Sequence, residues 1–484
     1  MAKLGDEQAI ILHGSVDYFF DLIRRRYNVE FEYCSAEYLI NKFAGLVDGY
    51  ILCRYREESI NIATALCSPL RAVAVTEEHE QFLKDCGMKM LLDVRGKTDE
   101  WLRSTSYFKH FNKQIAVNCD FYRPQLRDYA VMTGAYVYSN CEIKTLEQHK
   151  EVLSFLDDNA LVFGRFVINE WACVKSLSQI NASFFVTYAA HNLSTLSGFR
   201  LERLKQKTVH PAVEQKNKCH TVCLMLTDGD NIQYLLHNFA TVGGRWFGAS
   251  RHTNESTNFP FAWGLPPALI DIAAPTAEYF YENMQAKDEF VMHISGCAYT
   301  FPSQWPNKDA LQRMTTMLSE LMERMDMRIA VLIDDYACDE NTAKDTYSLY
   351  TEKDSIDALF YMNYAGYARY RGKILWSNNK PVISARWALW EGYSWYDDTT
   401  DCDGSIEAVA DKINSASRDP SSPEAYSFIP VFAWQGMKDG KVEKGGNTYD
   451  YAYELIKLLD DDVDVVLPSE FVRRIKENCA GLKE

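Results

Sequence analysis

The chain lacks any apolar run near the roughly 20 residues that a membrane-spanning helix requires, so no such helix is expected to organise it. It also lacks a Lys/Arg stripe. Its 67 acidic residues against 51 basic ones give a net charge of −16, a balance unsuited to neutralising a phosphate backbone. Neither nucleic acid nor a membrane is an expected partner. No G-x-G-x-x-G follows the first apolar run and no G-x-x-x-x-G-K occurs, which removes the two glycine-rich signatures of nucleotide binding. There is no H-E-x-x-H, and "CHTVC" (Cys219 to Cys223) has neither zinc spacing nor a second ligand pair. No G-x-S-x-G elbow exists and no cysteine sits in a nucleophile context, so covalent serine or cysteine hydrolysis drops out. The 13 cysteines are odd in number and scattered singly, which excludes a complete disulfide framework and favours a reducing compartment. A cytoplasmic protein is expected, with a trimmed secreted chain as the alternative, because "MAKLGDEQAI" has too short an apolar stretch for a signal peptide.

What is present is an alternation of apolar β-rich runs and helical patterns. At 484 residues the chain is long for one core, and two domains are expected. From the start, "AIILHG", "VEFEYCS", "DGYILCRY", "RAVAVT" and "MKMLLDVRG" read as short strands separated by helix-like segments, which implies a parallel sheet with crossover helices. Residues 1–115 are thus read as a small N-terminal α/β domain. The alternation resumes in 116–484 with "YAVMTGAYVY", "ALVFGRF", "ASFFVTYAAH", "TVCLMLTDGD", "EFVMHISG", "RIAVLIDD", "ALFYMNYAG", "PVISARWALW", "YSFIPVFAWQ" and "DVDVVLPSE". That many buried strands suit a TIM-like (β/α) barrel better than an open sheet. The helix after Asn307 carries Leu311, Met314, Leu318, Leu321, Met322 and Met325 at three and four spacing, a core-facing stripe.

Many of these runs end in polar residues. Asp228, Gly229, Asp230 and Asn231 follow "CLMLT", Asp334 and Asp335 follow "IAVLI", Glu391 follows "SARWALW", and His191 follows "FFVTYAA". In a barrel the carboxyl ends of the strands form the active-site face, so residues far apart in sequence can converge there. In "TDGDN" a glycine between two aspartates lets the chain turn sharply and aim both carboxylates into one cavity, for acid/base work or for a hard cation. A plain turn capping the next helix is the structural reading of the same residues. The catalytic candidates are Asp228, Asp230, Glu391 and Asp335, with Asp334 beside the last and Glu170 as an outsider. No cofactor is expected, apart from a divalent cation at Asp228 and Asp230 as an alternative.

The second half is also rich in aromatics near predicted strand ends. Trp263, Trp387, Trp390, Tyr393, Trp395, Tyr396 and Trp434 belong to that set, and rings beside carboxylates and amides are what a sugar-binding cleft uses. In "HISGCAYTFPSQWP", Gly296 ends a strand and two prolines stiffen a loop carrying Tyr299, Phe301 and Trp305. With these, Asn231, Gln233, Trp387, Trp390, Trp434 and His191 complete the expected substrate-binding set.

The segment Gly296 to Pro302 resembles the signature of the GxGYxYP family of putative glycoside hydrolases, matching at Gly296, Tyr299 and Pro302 and differing at Ala298 and Phe301. The "DGDN" of Asp228 to Asn231 is similar to that family's, and the likeness extends over nearly the whole chain, with the motif-bearing part at about 215–484. The resemblance implies a smaller N-terminal α/β domain containing "NIATALC", a barrel-like C-terminal domain and hydrolysis of a glycan. Two carboxylates would then flank the scissile bond, about 5 Å apart for retention or about 6.5 to 9.5 Å for inversion. The alternatives are a non-catalytic carbohydrate-binding or scaffold protein, and a metal-dependent hydrolase or deacetylase using the "TDGDN" loop.

Overall fold

A computed structural model describes residues 17–139, 143–208, 218–237, 239–240, 246–250, 258–336, 340–364, 366–391 and 404–482. The chain divides into two compact units, one of residues 1–200 with 271–275 and one of residues 201–270 with 276–484. Among the described residues no helix is long and apolar enough to cross a membrane.

The first unit holds two small parallel sheets. Strands β1 (Gly49–Cys53), β2 (Ala72–Thr76) and β3 (Met90–Asp93) form one, in the order β2-β1-β3. Strands β4 (Asn112–Asn118), β5 (Ala135–Tyr138), β6 (Leu161–Gly164) and β7 (Ser183–Val186) form the other, in the order β5-β4-β6-β7. The helix Glu58–Cys67, which contains "NIATALC", is buried along almost its whole length. Its one amide, Asn61, donates through Nδ2 to the carbonyls of Cys119 at 2.9 Å and Tyr138 at 3.3 Å, tying the helix to the second sheet.

The expected barrel from residue 116 therefore needs correction: β5, β6 and β7 never join the large sheet. Alternating strand and helix patterns look the same whichever sheet they enter, and here each strand is only four residues long. The expected strand "YAVMTGAYVY" is half helix, because Arg127–Thr133 is helical and Gly134, at φ 63°, closes it in the left-handed region that suits glycine. "VEFEYCS" is not a strand either; it leads into Ser35, whose side chain caps the helix Ala36–Phe43. "AIILHG" lies outside the described residues.

The second unit is built on a nine-stranded sheet that curls as a half-barrel. Its strands are β8 (His220–Leu226), β9 (Phe261–Leu265), β10 (Asp288–Met292), β11 (Ile329–Asp334), β12 (Ala358–Asn363), β13 (Ile374–Ser377), β14 (Lys380–Ser384) and β15 (Tyr426–Val431), with β18 (Val463–Val465) paired to β8. A two-stranded hairpin of β16 (Gln435–Lys438) and β17 (Lys441–Lys444) lies between β15 and β18 in sequence. The order is β13-β14-β12-β11-β10-β9-β8-β15, all pairs parallel except β13 with β14. Parallel strands put every carboxyl end on one edge. Past β14 the chain runs beside β15, with Arg386 N–H donating to Phe428 O and Leu389 N–H to Pro430 O. β8, β9, β10, β11, β12 and β15 are buried at every residue, as a parallel sheet covered on both faces should be. The helix Lys308–Arg324 covers part of it, capped by Asn307 and burying Leu311, Met314, Leu318 and Met322 as its spacing predicts.

Candidate active site

The carboxyl end of β8 delivers the acidic loop. Asp228 takes φ 61°, a left-handed conformation that aspartate tolerates better than most residues, and this turns the chain sharply out of the strand. Its carboxylate is held from two sides: Trp434 Nε1 donates to Oδ1 at 2.9 Å and Thr227 Oγ1 donates to Oδ2. Burial and the nearby charge of Asp230 push the Asp228 carboxyl above its ordinary range, against the pull of those two donors. The loop is braced internally. Asn231 Nδ2 donates to Asp228 O at 3.1 Å, and Gln233 Nε2 donates to Asn231 Oδ1 at 3.3 Å.

Asp230 is nearly buried and faces His293, the first residue past β10, with Oδ1 at 3.5 Å from Nδ1. His293 is 1% exposed, and neither ring nitrogen makes a hydrogen bond. Two glycines allow this approach. A Cβ on Gly229 would sit 1.8 Å from Gly264 O, and a Cβ on Gly264 would sit 2.8 Å from the Cβ and Cγ of His293. Backbone of the acidic loop, backbone of β9 and the imidazole thus lie in one stack.

At the end of β11, Asp334 is fully buried and accepts from Ser303 Oγ at 2.7 Å, from Ser303 N at 3.2 Å and from Asp335 N at 2.9 Å. Burial pushes its carboxyl up to about 6 despite these donors. Asp334 is the anchor of the Pro302–Gln304 turn, and so of the loop that carries the signature residues. On that loop Tyr299 meets Phe301 edge-on at 5.8 Å, and Phe301 meets Tyr364 at 5.6 Å. Trp305 is 2% exposed and donates to Thr300 Oγ1 at 2.6 Å, which makes it a packing element of the loop rather than an open wall.

Of the other expected residues, Trp434 stands beside Asp228 in an aromatic group with Tyr234 at 4.8 Å and Trp246 at 5.3 Å. Trp390 stacks on Phe432 at 3.6 Å, just past β15. Asp335 follows Asp334 and is buried, its carbonyl accepting from Asn363 Nδ2 at 3.2 Å. Glu391 is exposed, its backbone held by Gln435 through bonds of 2.9 and 2.7 Å. Trp387 stacks on His220, the first residue of β8, and so lies toward the end of that strand opposite Asp228. Trp263 is core, its indole donating to Asp288 at 2.9 Å. His191 belongs to the first unit, where it bonds Gln125 at 3.1 Å, and Glu170 opens a helix of that unit. Tyr393, Trp395 and Tyr396 lie outside the described residues. Sequence reasoning missed His293, whose signal was its position directly after the run "EFVM", and Ser303 and Thr227, for which no sequence signal existed. Among the described residues no group of three or more His, Cys, Asp or Glu is arranged to hold a metal.

An acidic loop, a buried histidine and indoles at the carboxyl edge of a curled parallel sheet, on a chain that also carries two small parallel sheets, define a multidomain α/β protein. The chain is similar to the crystal structure of a putative hydrolase from Bacteroides thetaiotaomicron, with a TM-score of 0.84, 28% identity, and coverage of 98% of this chain and 89% of that one. The GxGYxYP putative glycoside hydrolase C-terminal domain matches residues 218–476, the GxGYxYP_N second domain residues 47–111 and the GxGYxYP third domain residues 115–198. The chain belongs to the GxGYxYP putative glycoside hydrolase family. Among curated proteins nothing matches it.

Proposed function

We propose that the chain hydrolyses glycosidic bonds in a glycan, with Asp228 as the proton donor and Asp230 as the base or nucleophile. The observation that carries this reading is the unequal setting of two carboxylates on either side of Gly229: Asp228 is pushed up by burial and by the charge of Asp230, while Asp230 lies against His293. A buried carboxyl held above its ordinary range suits proton delivery, which leaves the neighbouring acid as base or nucleophile. His293 is the group placed to exchange a proton with Asp230 or to orient it. Trp434 and Trp390, both partly exposed, supply ring surface for a pyranose, while the buried Tyr299 and Phe301 pack the signature loop beneath. The carbonyls of Phe428 and Pro430, bonded by the chain past β14, support closure of the curled sheet into a barrel-like cup around these groups. Buried thiols such as Cys53, Cys67, Cys173 and Cys223 are not in disulfides, which supports a reducing, cytoplasmic setting.

The test is Asp228→Asn and Asp230→Asn assayed on a glycan panel with and without chelator. Loss of turnover by at least about 10²-fold in both, with folding intact and no effect of chelator, is the expected outcome. Loss on chelation with recovery in Mg²⁺ or Ca²⁺ would move the assignment to a cation held by the same loop. Full activity of both variants would remove the loop from the chemistry. Saturable glycan binding with no turnover of any panel member would make the protein a carbohydrate binder.

A further inference from the structure

The first unit carries polar groups that the site above does not use. Its second sheet is parallel, and the chain leaves β4 toward β5 on one side and later adds β6 and β7 on the other. The gap between β4 and β6 is therefore a topological switch point, and in open α/β sheets ligands bind outside the carboxyl ends of the strands at such a point.

Three loops meet there. Asn118, the last residue of β4, donates through Nδ2 to Arg165 O just past β6, at 2.9 Å. The approach depends on Gly164, where a Cβ would stand 2.3 Å from Asn118 O. Asp120 lies 3.3 Å from the Arg165 guanidinium and 3.6 Å from that of Arg123. Both guanidiniums stand over the ring of Tyr188, past β7, at 6.0 and 5.2 Å from its centroid.

The charge at this crevice has the opposite sign to the chain as a whole. Two guanidiniums, 52% and 43% exposed, face one carboxylate that is only 13% exposed, leaving one positive charge on a chain of net −16. Arg127 also approaches this loop, but its donors are taken by Asn61, Thr64 and the Asp120 carbonyl. Asn118 itself is 1% exposed, and its Oδ1 has no hydrogen-bond partner. Native structures leave few such buried acceptors unpaired, so an unused one at the switch point calls for a donor.

We propose that this crevice is a second binding site, for a small hydroxylated oxyanion such as a sugar acid or a sugar phosphate. Arg123 and Arg165 take the anionic group through charge-assisted hydrogen bonds, and a ligand hydroxyl donates to Asn118 Oδ1. The proposal is independent of the hydrolytic reading of the second unit.

Calorimetric titration of the full chain with galacturonate, glucose 6-phosphate and inorganic phosphate, with glucose as the neutral control, tests it. Saturable binding of at least one of the two hydroxylated anions, tighter than that of inorganic phosphate and absent with glucose, is expected; which of the two binds identifies the source of the charge. The double variant Arg123→Gln with Arg165→Gln should weaken that binding at least about tenfold with no change in circular dichroism, since both side chains are half exposed. Asp228→Asn should bind like the parent. No saturable binding of either hydroxylated anion, equal binding of glucose, equal binding of inorganic phosphate, an unaffected double variant, or loss of binding in Asp228→Asn would each overturn the assignment.

Discussion

Trp434 touches the proposed acid directly, and its indole N–H favours the ionised form of Asp228. Removing that donor in Trp434→Phe keeps an aromatic ring but raises the Asp228 carboxyl further. If Asp228 delivers a proton, it must be protonated to act, so the basic limb of the kcat/KM profile should move to higher pH in this variant. A ring that only packs would leave the limb in place and lower the melting temperature instead. At this scale the sequence was informative about identity and silent about environment. "TDGDN" announced itself through its glycine and its acids, whereas the contact with His293 depends on three separate strands, and no spacing within one segment could reveal it. Trp305 and Trp387 illustrate the converse, because a ring near a strand end reads alike whether it is packed under a loop or standing in a cleft.

Among the elements, the tie between β10 and the helix Pro468–Asn478 has a pH dependence of definite sign. Glu289 is nearly buried and accepts from Ser469 N at 3.0 Å and Ser469 Oγ at 2.8 Å, and burial pushes its carboxyl up to about 7. A carboxyl raised on folding favours the folded state while protonated. Its contribution is complete below the ordinary value of 4.5 and is lost as pH rises through about 7. Denaturant titrations at pH 5 and pH 8 should therefore differ by up to roughly 3 kcal/mol from this group, and Glu289→Gln should flatten the difference. An unchanged difference in that variant would assign it to other groups. Most strands of the large sheet were legible as apolar runs, since parallel strands buried on both faces need no alternation. β9 was not. "FAWGL" is flanked by Pro260, Pro266 and Pro267 and interrupted by Gly264, which masks a strand by the usual signals, although its neighbours require that glycine.

For the whole molecule, if the chain acts on glycans as proposed, the net charge of −16 should bias which of them approach. Turnover of a neutral glycan should change little between low and physiological ionic strength. A polyanionic glycan should be disfavoured at low salt and recover as screening shortens the range of repulsion. Comparing kcat/KM for neutral and acidic members of the panel across salt concentrations checks this, and equal salt dependence for the two would show that net charge does not steer binding. The assignment of strands to sheets was not legible: which of three sheets a βα unit joins is decided by pairing partners distant in sequence, which local patterns do not encode.

The contact of Gly229 with Gly264 has a thermodynamic consequence. With no side chain between the acidic loop and β9, the loop has little room to rearrange, so Asp228 and Asp230 are held in place before any ligand arrives. Ordering that other proteins undergo on binding is already complete here. A charged transition-state mimic that reaches these carboxylates should consequently bind with only a small penalty in protein conformational entropy. Calorimetry can read this by comparing the parent with Asp230→Asn: the two should differ mainly in enthalpy, and a difference carried mainly by entropy would mean that the loop orders only when occupied.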